Sequence, residues 1–422
     1  MIGSLFAGIS GLNANATAMT VIGDNIANVN TTAFKGNRSA FANVLSQSLG
    51  GSTGSNIGRG VEVWGTSALW TQGSLENTGS ATDLAINGKG FFIVNDASGA
   101  SYYTRAGQFY LNEVGDLVNP DGYVVQGYEI DPLTGALLSM ADVSIPGNRV
   151  APPYYTRTIT ADINLDAGAA IGDNYATTMT VYDSLGNAVP LTLTFTKVVG
   201  GGTGREWGWE ATVPASFVGV GNETIAGGGA GDILAFDASG ALLPASGTDI
   251  TFSDIPFTNG ADPTQDIVWD LYGGTAATGA TNGDVTSYAN PSSTTFQYQD
   301  GYPAGVLRGI SVDESGVVTA SYSNGQLMPV YQIALADFPS YDGLNKMGKN
   351  LYTESLNSGQ PLPGVSGDGR LGSISPMAIE MSNVDLAQEF VKMITTQRAF
   401  QANSRVITTS DEILSELINL KR

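Results

Sequence analysis

The sequence contains no cysteine and no histidine. That removes thiolate and imidazole metal ligands, Ser-His and Cys-His nucleophile pairs, and the commonest general base. It also excludes a disulfide framework, while leaving the compartment open. Positive charge is scarce, with 18 Lys and Arg against 39 Asp and Glu and a net charge of −21. A chain this acidic has no general electrostatic attraction for nucleic acid or an anionic bilayer, so neither is expected as a partner. No uninterrupted apolar run approaches the roughly 18 residues of a spanning helix, so no membrane insertion is expected. No Lys or Arg precedes Lys35. The basic start of a secretory signal is therefore missing, and export without a cleaved signal peptide is the expectation.

Charge is also scarce at the two ends. Within the first 34 residues Asp24 is the only formal side-chain charge. From Glu206 to Leu307 the reverse imbalance holds, with twelve Asp or Glu and not one Lys or Arg. A solvated outer domain and buried ends would produce that asymmetry. Glycine is abundant at 55 residues. Together with short alternating segments, this reads as a β-rich chain with many turns.

Helical periodicity is confined to the termini. Ile2, Leu5, Ile9, Leu12, Ala16 and Met19 are spaced alternately three and four apart, a heptad-like seam over a helix at about residues 4–28. Gly3, Gly8, Gly11 and Gly23 make this helix marginal in isolation, at up to about 1 kcal/mol each against Ala. At the other end Leu386, Met393, Phe400, Ile407 and Leu414 recur every seven residues, with Phe390, Gln397, Ser404, Asp411 and Ile418 as companions. Ser382 or Asn383 is the expected N-cap, Asp385 suits the first turn, and Lys421 and Arg422 suit the last. Two helices flanking nearly 350 residues of β pattern have little core of their own. Many copies pooling their termini into one bundle would solve this, which makes the two seams candidate polymerisation surfaces.

Between the helices, "SQSLGGSTGSNIGRG" (46–60) reads as a connector. Asn87-Gly88 and Asp121-Gly122 read as hairpin turns. The expected organisation is nested. Residues 1–75 with 373–422 form an inner helical terminal domain with an extended connector. Residues 76–150 with 296–372 form an inner β domain, and 151–295 an outer acidic β domain. The fold class is therefore multidomain and mainly β, with paired N- and C-terminal α-helices and nested β domains inserted between them.

Catalytic chemistry finds little footing. "AGGGAGDILAF" (226–236) lacks the Gly-Lys-Ser/Thr of a phosphate loop. "SVDESGVV" and "GVSGDGRLG" do not match spaced calcium ligands and read as turns. Asp116 with Asp121, or Glu206 with Glu210, would be carboxylate pairs without an inferable cleft. The five Trp read as core or strand-pairing residues. No enzyme, cofactor or metal site is expected.

"SGLNANATAMTVIGDNIANVNTTAFKG" resembles the N-terminal signature of bacterial flagellar rod and hook proteins, with Asn25, Ile26, Ala27, Asn28, Thr31, Phe34 and Lys35 in the matching places. Ala33 stands where Gly is commoner. "NVDLAQEFVKMITTQRAFQANSRVITTSDEILSELINLKR" resembles the same family's C-terminal helix, and "DLAINGKGFFIV" its inner β domain. The resemblance implies an axial protein whose subunits stack helically, with terminal helices lining a channel and β domains radiating outward. Its rod members are usually much shorter, so length and the acidic insertion favour a hook-type member. That implies a helical homopolymer forming a curved, flexible tube that works as a universal joint from rod to filament. It also implies rod, hook-cap and hook–filament junction proteins as partners, flagellar type III export, and a place in the flagellum outside the cell. Asn25, Ile26, Asn28 and Phe34 join the N-terminal seam as expected polymerisation residues. The alternatives are a distal rod protein with an insertion, separated by straight rather than curved polymers, and a secreted β-rich adhesin or carbohydrate-active protein, which needs no five-heptad terminal seam.

Overall fold

The computed structural model describes residues 2–44, 47–48, 56–131, 134–147, 150–199, 204–221, 223–229, 232–243, 249–271 and 284–419. The chain is mainly β, with one long helix at each end, Ile2–Ala27 and Leu386–Asn419. It divides into two compact units. The first comprises residues 1–147, 308–321 and 327–422, and the second residues 148–307 and 322–326, which interrupt the first in sequence.

In the first unit the strand Leu327–Asp337 is central. It pairs with Val317–Tyr322, Val124–Ile130, Phe91–Asn95 and Leu362–Val365. Its second half is buried on both faces, which suits the unbroken apolar run from Ile333 to Ala336. Phe91–Asn95 turns back into Ser101–Thr104, and that strand pairs with Leu351–Thr353. An aromatic cluster fills the space beside these strands. Phe91 meets Trp70, Phe338, Tyr341 and Tyr352 in edge-on contacts with centroids 5.3–5.9 Å apart. Trp70 follows the strand Val61–Ala68, so one large ring anchors that segment to the sheet.

The hairpin expected at Asn87-Gly88 is not formed. Leu84–Asn87 pairs with Ser373–Pro376, not with Phe91–Asn95. Gly88 has φ 116°, and a Cβ there would lie 3.0 Å from the Gly372 α-carbon. Glycine serves a close approach of two segments distant in sequence, which the dipeptide alone could not reveal. Asp121-Gly122 does close a hairpin, between Leu117–Val118 and Val124. Its neighbour Asn119 orders the turn by accepting from the Asp121 and Tyr123 amides. Within 46–60, Gln47–Ser48 pairs with Asn56–Ile57, and residues 49–55 lie outside the described residues.

The second unit packs two five-stranded sheets around one core. After exposed Ala188, the strand Ala188–Val198 alternates strictly between buried and half-buried positions, the signature of a strand with one face inward. Trp207, Trp209, Trp269, Phe195 and Phe252 fill that core. Thr158–Asn164 pairs in parallel with Ile267–Asp270 and Val285–Thr286, a non-local pairing that turn signals do not announce. In 226–236, Gly227 and Gly228 take positive φ where the chain turns over Trp209. Trp64 lies on the paired strand Val61–Ala68 rather than in a core, and it is 83 % exposed.

The expectation that no helix could span a membrane is corrected. Gly3–Ala27 is long and apolar enough by length and composition, a test that core helices of soluble proteins also pass. Counting uninterrupted apolar residues missed it, because its breaks are Gly, Ser, Thr and Asn, with Asp24 as its one charge.

Candidate subunit interface

The two terminal helices pack antiparallel. Ser4 faces Ser410, Gly8 faces Ile407, Gly11 faces Asn403, and Asn25 faces Glu389. The N-terminal helix presents Gly8, Gly11, Ala14, Ala18, Ile22 and Asn25 as its buried face. A Cβ at Gly8 would lie 3.1 Å from Ile407 Cγ1, and one at Gly11 only 2.7 Å from Asn403 Nδ2. Two of the glycines that weaken this helix, Gly8 and Gly11, are what let the two backbones approach. The C-terminal helix answers with Glu389, Met393, Thr396, Phe400, Asn403, Ile407, Ser410 and Leu414, a strict four-three alternation of buried and half-buried positions.

Half of the C-terminal seam therefore lies at the helix contact, through Met393, Phe400, Ile407 and Leu414, while Leu386 stays exposed. The positions that accompany them at this intramolecular contact are Glu389, Thr396, Asn403 and Ser410, one residue before Phe390, Gln397, Ser404 and Asp411, with Asn25 opposite Glu389, Gly11 opposite Asn403 and Ser4 opposite Ser410. Phe390 is exposed, and the side chain of Ile418 lies outside the described residues. The N-terminal seam also lies elsewhere. Leu5, Leu12 and Met19 are half-buried and Ile9 is exposed, on a face roughly 130° around the helix from the glycine stripe at 100° per residue. Met19, Ala16 and Thr20 form one wall of a groove of about 450 Å³, with Gln397, Phe400 and Gln401 as the other.

The C-terminal helix is capped by Asp385, not by Ser382 or Asn383. Its Oδ1 accepts from the Ala387 amide at 2.8 Å and the Gln388 amide at 3.2 Å. Asn383 is used in the junction instead, where its Oδ1 accepts from the Gly36 amide and its Nδ2 donates to the Leu69 and Thr71 carbonyls. Lys421 and Arg422 lie outside the described residues.

The signature stretch 25–36 forms the junction between helix and sheet. Asn25 is buried, and its amide pairs with both backbone groups of Asn37 at 2.8 Å while Nδ2 also donates to Glu389. Asn28 Nδ2 donates to the Asp24 carbonyl and its Oδ1 accepts from Thr31 Oγ1, closing the helix end. Phe34 and Ile26 are half-buried. Ala33, fully buried, takes φ 57°, the region that favours glycine, and its amide donates to the Glu380 carbonyl at 2.7 Å.

Behind this stretch sits a charge cluster that sequence reasoning missed. The Glu380 carboxylate is fully buried and accepts from Lys35 at 2.6 Å, Arg105 at 3.2 Å and the Gly73 amide at 2.9 Å. Lys35 also donates to the Thr71 carbonyl, and Arg105 to those of Ile86 and Gly88. Burial pulls the Lys35 amine below its ordinary pKa, opposed by the attraction of Glu380. The motif singles out Lys35, but nothing in the sequence pairs it with a glutamate 345 positions away. A hairpin tip also clamps the motif. Lys349 and Asn350, both at positive φ, make a two-residue turn, and Asn350 donates to the Thr32 carbonyl. Among the described residues, no group of three or more carboxylates could hold a metal ion.

Over its whole length the chain is 35 % identical to the flagellar hook protein FlgE of Borreliella burgdorferi, covering all of both chains. The chain belongs to the flagellar hook protein family. The hook protein FlgE of Escherichia coli is 34 % identical over 98 % of each chain. The profile described as flagella basal body rod protein matches residues 5–35, and that of the flagellar basal body rod FlgEFG protein C-terminal matches 376–420. Between them lie matches to the flagellar hook protein FlgE/F/G D1 domain at 85–170 and the flagellar basal body protein FlaE D2 domain at 155–302. A crystal structure of Helicobacter pylori flagellar hook protein FlgE2 aligns with TM-score 0.47 and 16 % identity, over 71 % of this chain and 98 % of that one. Hook-family membership covers the terminal helices, the junction and the second unit alike.

Proposed function

We propose that the chain is a structural subunit of the bacterial flagellar hook, polymerising through its terminal helices into a curved tube that transmits torque while it bends. Full-length identity to hook proteins favours this over a distal rod protein or an adhesin. The observation that carries the assembly mode is the helix pair itself. Its inner contact uses Gly8, Gly11, Ala14 and Ala18, so large apolar groups at Ile9, Leu386, Phe390 and Ile394 stay exposed. A monomer gains nothing from such a surface, whereas neighbouring pairs could bury it. The groove between Met19 and Phe400 has room for a side chain of an adjacent helix.

The three-part division, with a helical terminal domain, an inner β domain and an outer acidic domain over about 151–295, assigns cohesion to the termini. The acidic domain then supplies weak, hydrated lateral contacts that can slide on bending. In this reading the chain performs no catalysis and carries no cofactor. It passes through the flagellar type III apparatus without a cleaved signal, ends outside the cell, and meets rod, hook-cap and hook–filament junction proteins at the two ends of the polymer. Chains lacking residues 1–30 or 385–422 should stay monomeric in sedimentation runs under conditions where the full chain forms tubes. Tubes from either truncation would refute the division of labour.

A further inference from the structure

The strands Asn37–Asn43 and Val61–Ala68 form a two-stranded ribbon in which neither strand pairs with another described strand. Such a ribbon has little stability of its own, yet it is held firmly. At its base Asn25 binds both backbone groups of Asn37, and at its far end the Val61 amide donates to Ser10 Oγ at 3.2 Å. Gly60 packs so close to Ser10 that a Cβ would collide with the hydroxyl. The ribbon therefore lies along the N-terminal helix in a defined place. What it displays is Trp64, 83 % exposed, with Phe41 on the facing strand also exposed. The other tryptophans are treated differently. Trp207, Trp209 and Trp269 are core residues, and Trp70 sits in an aromatic cluster.

We propose that the Trp64 face of this ribbon is a contact surface for a second copy of the chain. This rests on the hook-subunit reading and adds to the helices a further, separate element of cohesion. Charge favours a second copy as the occupant. The chain carries −21 overall, so copies repel one another across most of their surface. Within 37–43 and 61–68 the charges are Arg38 and Glu62 alone, which cancel. Copies can approach there without that repulsion. Chemistry favours it too: a tubular lattice needs unlike patches on each chain, and this ribbon and the exposed helix stripe at Leu386, Phe390 and Ile394 are two such patches on one unit. An indole at this exposure offers about 200 Å². That is about a quarter of what one partner contributes to a standard contact.

The test compares assembled tubes with the subunits obtained by dissociating them, using tryptophan emission and acrylamide quenching. Subunits should show one readily quenched component, absent from W64F. In tubes that component should be shielded at least fivefold and its emission shifted to the blue. W64E should raise the concentration needed for polymerisation at least tenfold while subunit thermal unfolding is unchanged, since Trp64 contributes little to its own fold. Equal quenching in tubes and subunits, or W64E assembly at the normal concentration, would overturn the inference and leave the hook reading standing. A chain that forms no tubes at all would overturn both.

Discussion

The glycines of the N-terminal helix allow a direct test of how the two helices meet. Replacing Gly by Ala inside a helix stabilises it by about 1 kcal/mol through backbone entropy alone. At Gly23 nothing lies within 4 Å of the new Cβ, so G23A should show that gain undiminished. At Gly8 the Cβ would stand 3.1 Å from Ile407 Cγ1 and 3.5 Å from the Asn403 carbonyl. A small shift of the Ile407 methylene relieves this, and G8A should come out near neutral. At Gly11 the Cβ would stand 2.7 Å from Asn403 Nδ2 and 3.0 Å from Cγ, so the amide must leave its place. Overpacking costs about 1–3 kcal/mol, which makes G11A neutral to about 2 kcal/mol destabilising. Amide hydrogen exchange over residues 14–22 reads the local opening free energy without assuming that the whole chain unfolds in one step. The expected order of protection is G23A, then G8A, then G11A. The double variant G11A/N403A should recover most of the loss, with a coupling above about 1 kcal/mol. Equal stabilisation by all three alanines would refute the close contact at residues 8 and 11.

Three other outcomes follow from the junction and the aromatic cluster. E380Q leaves Lys35 and Arg105 buried without their counter-charge and should destabilise the first unit by about 3–5 kcal/mol in urea unfolding. A33G releases an alanine from φ 57° and should gain up to about 1 kcal/mol in the same assay, whereas A33V should lose at least as much. Burial raises Tyr103 and Tyr352 to about 12, from 10.0 in the unfolded chain. The folded state then holds protons that the unfolded state has lost, so stability should fall as pH rises from about 10 to 12. Y352F should flatten that fall when unfolding is followed by circular dichroism across the window.

Terminal helices, the β-rich middle and the Asp121-Gly122 turn were legible because they depend on local pattern. The seven-residue recurrence at Met393, Phe400, Ile407 and Leu414 identified one face of the C-terminal helix correctly. The partner face on the N-terminal helix was missed because hydrophobic periodicity follows large side chains, whereas the contact is made by Gly8, Gly11, Ala14 and Ala18. At the helix contact the companions are Asn403, opposite Gly11, and Ser410, opposite Ser4, whereas Phe390 stays exposed. Asn87-Gly88 failed as a hairpin because glycine there answers to Gly372, far away in sequence. Conversely, Lys349-Asn350 makes a tight hairpin without glycine in its two central positions. The Lys35–Glu380–Arg105 cluster joins three distant segments and leaves no local trace. Asn25 and Asn28, too numerous for a helix end by propensity, are explained by what they bind: the backbone of Asn37 and the last turn of their own helix.

Electron microscopy of the purified assembly tests the central claim most directly. Polymerisation through the terminal helices predicts curved tubes, with helical density of paired antiparallel α-helices at the inner wall. Monodisperse globules under every assembly condition, or tubes whose inner wall lacks those helices, would contradict it.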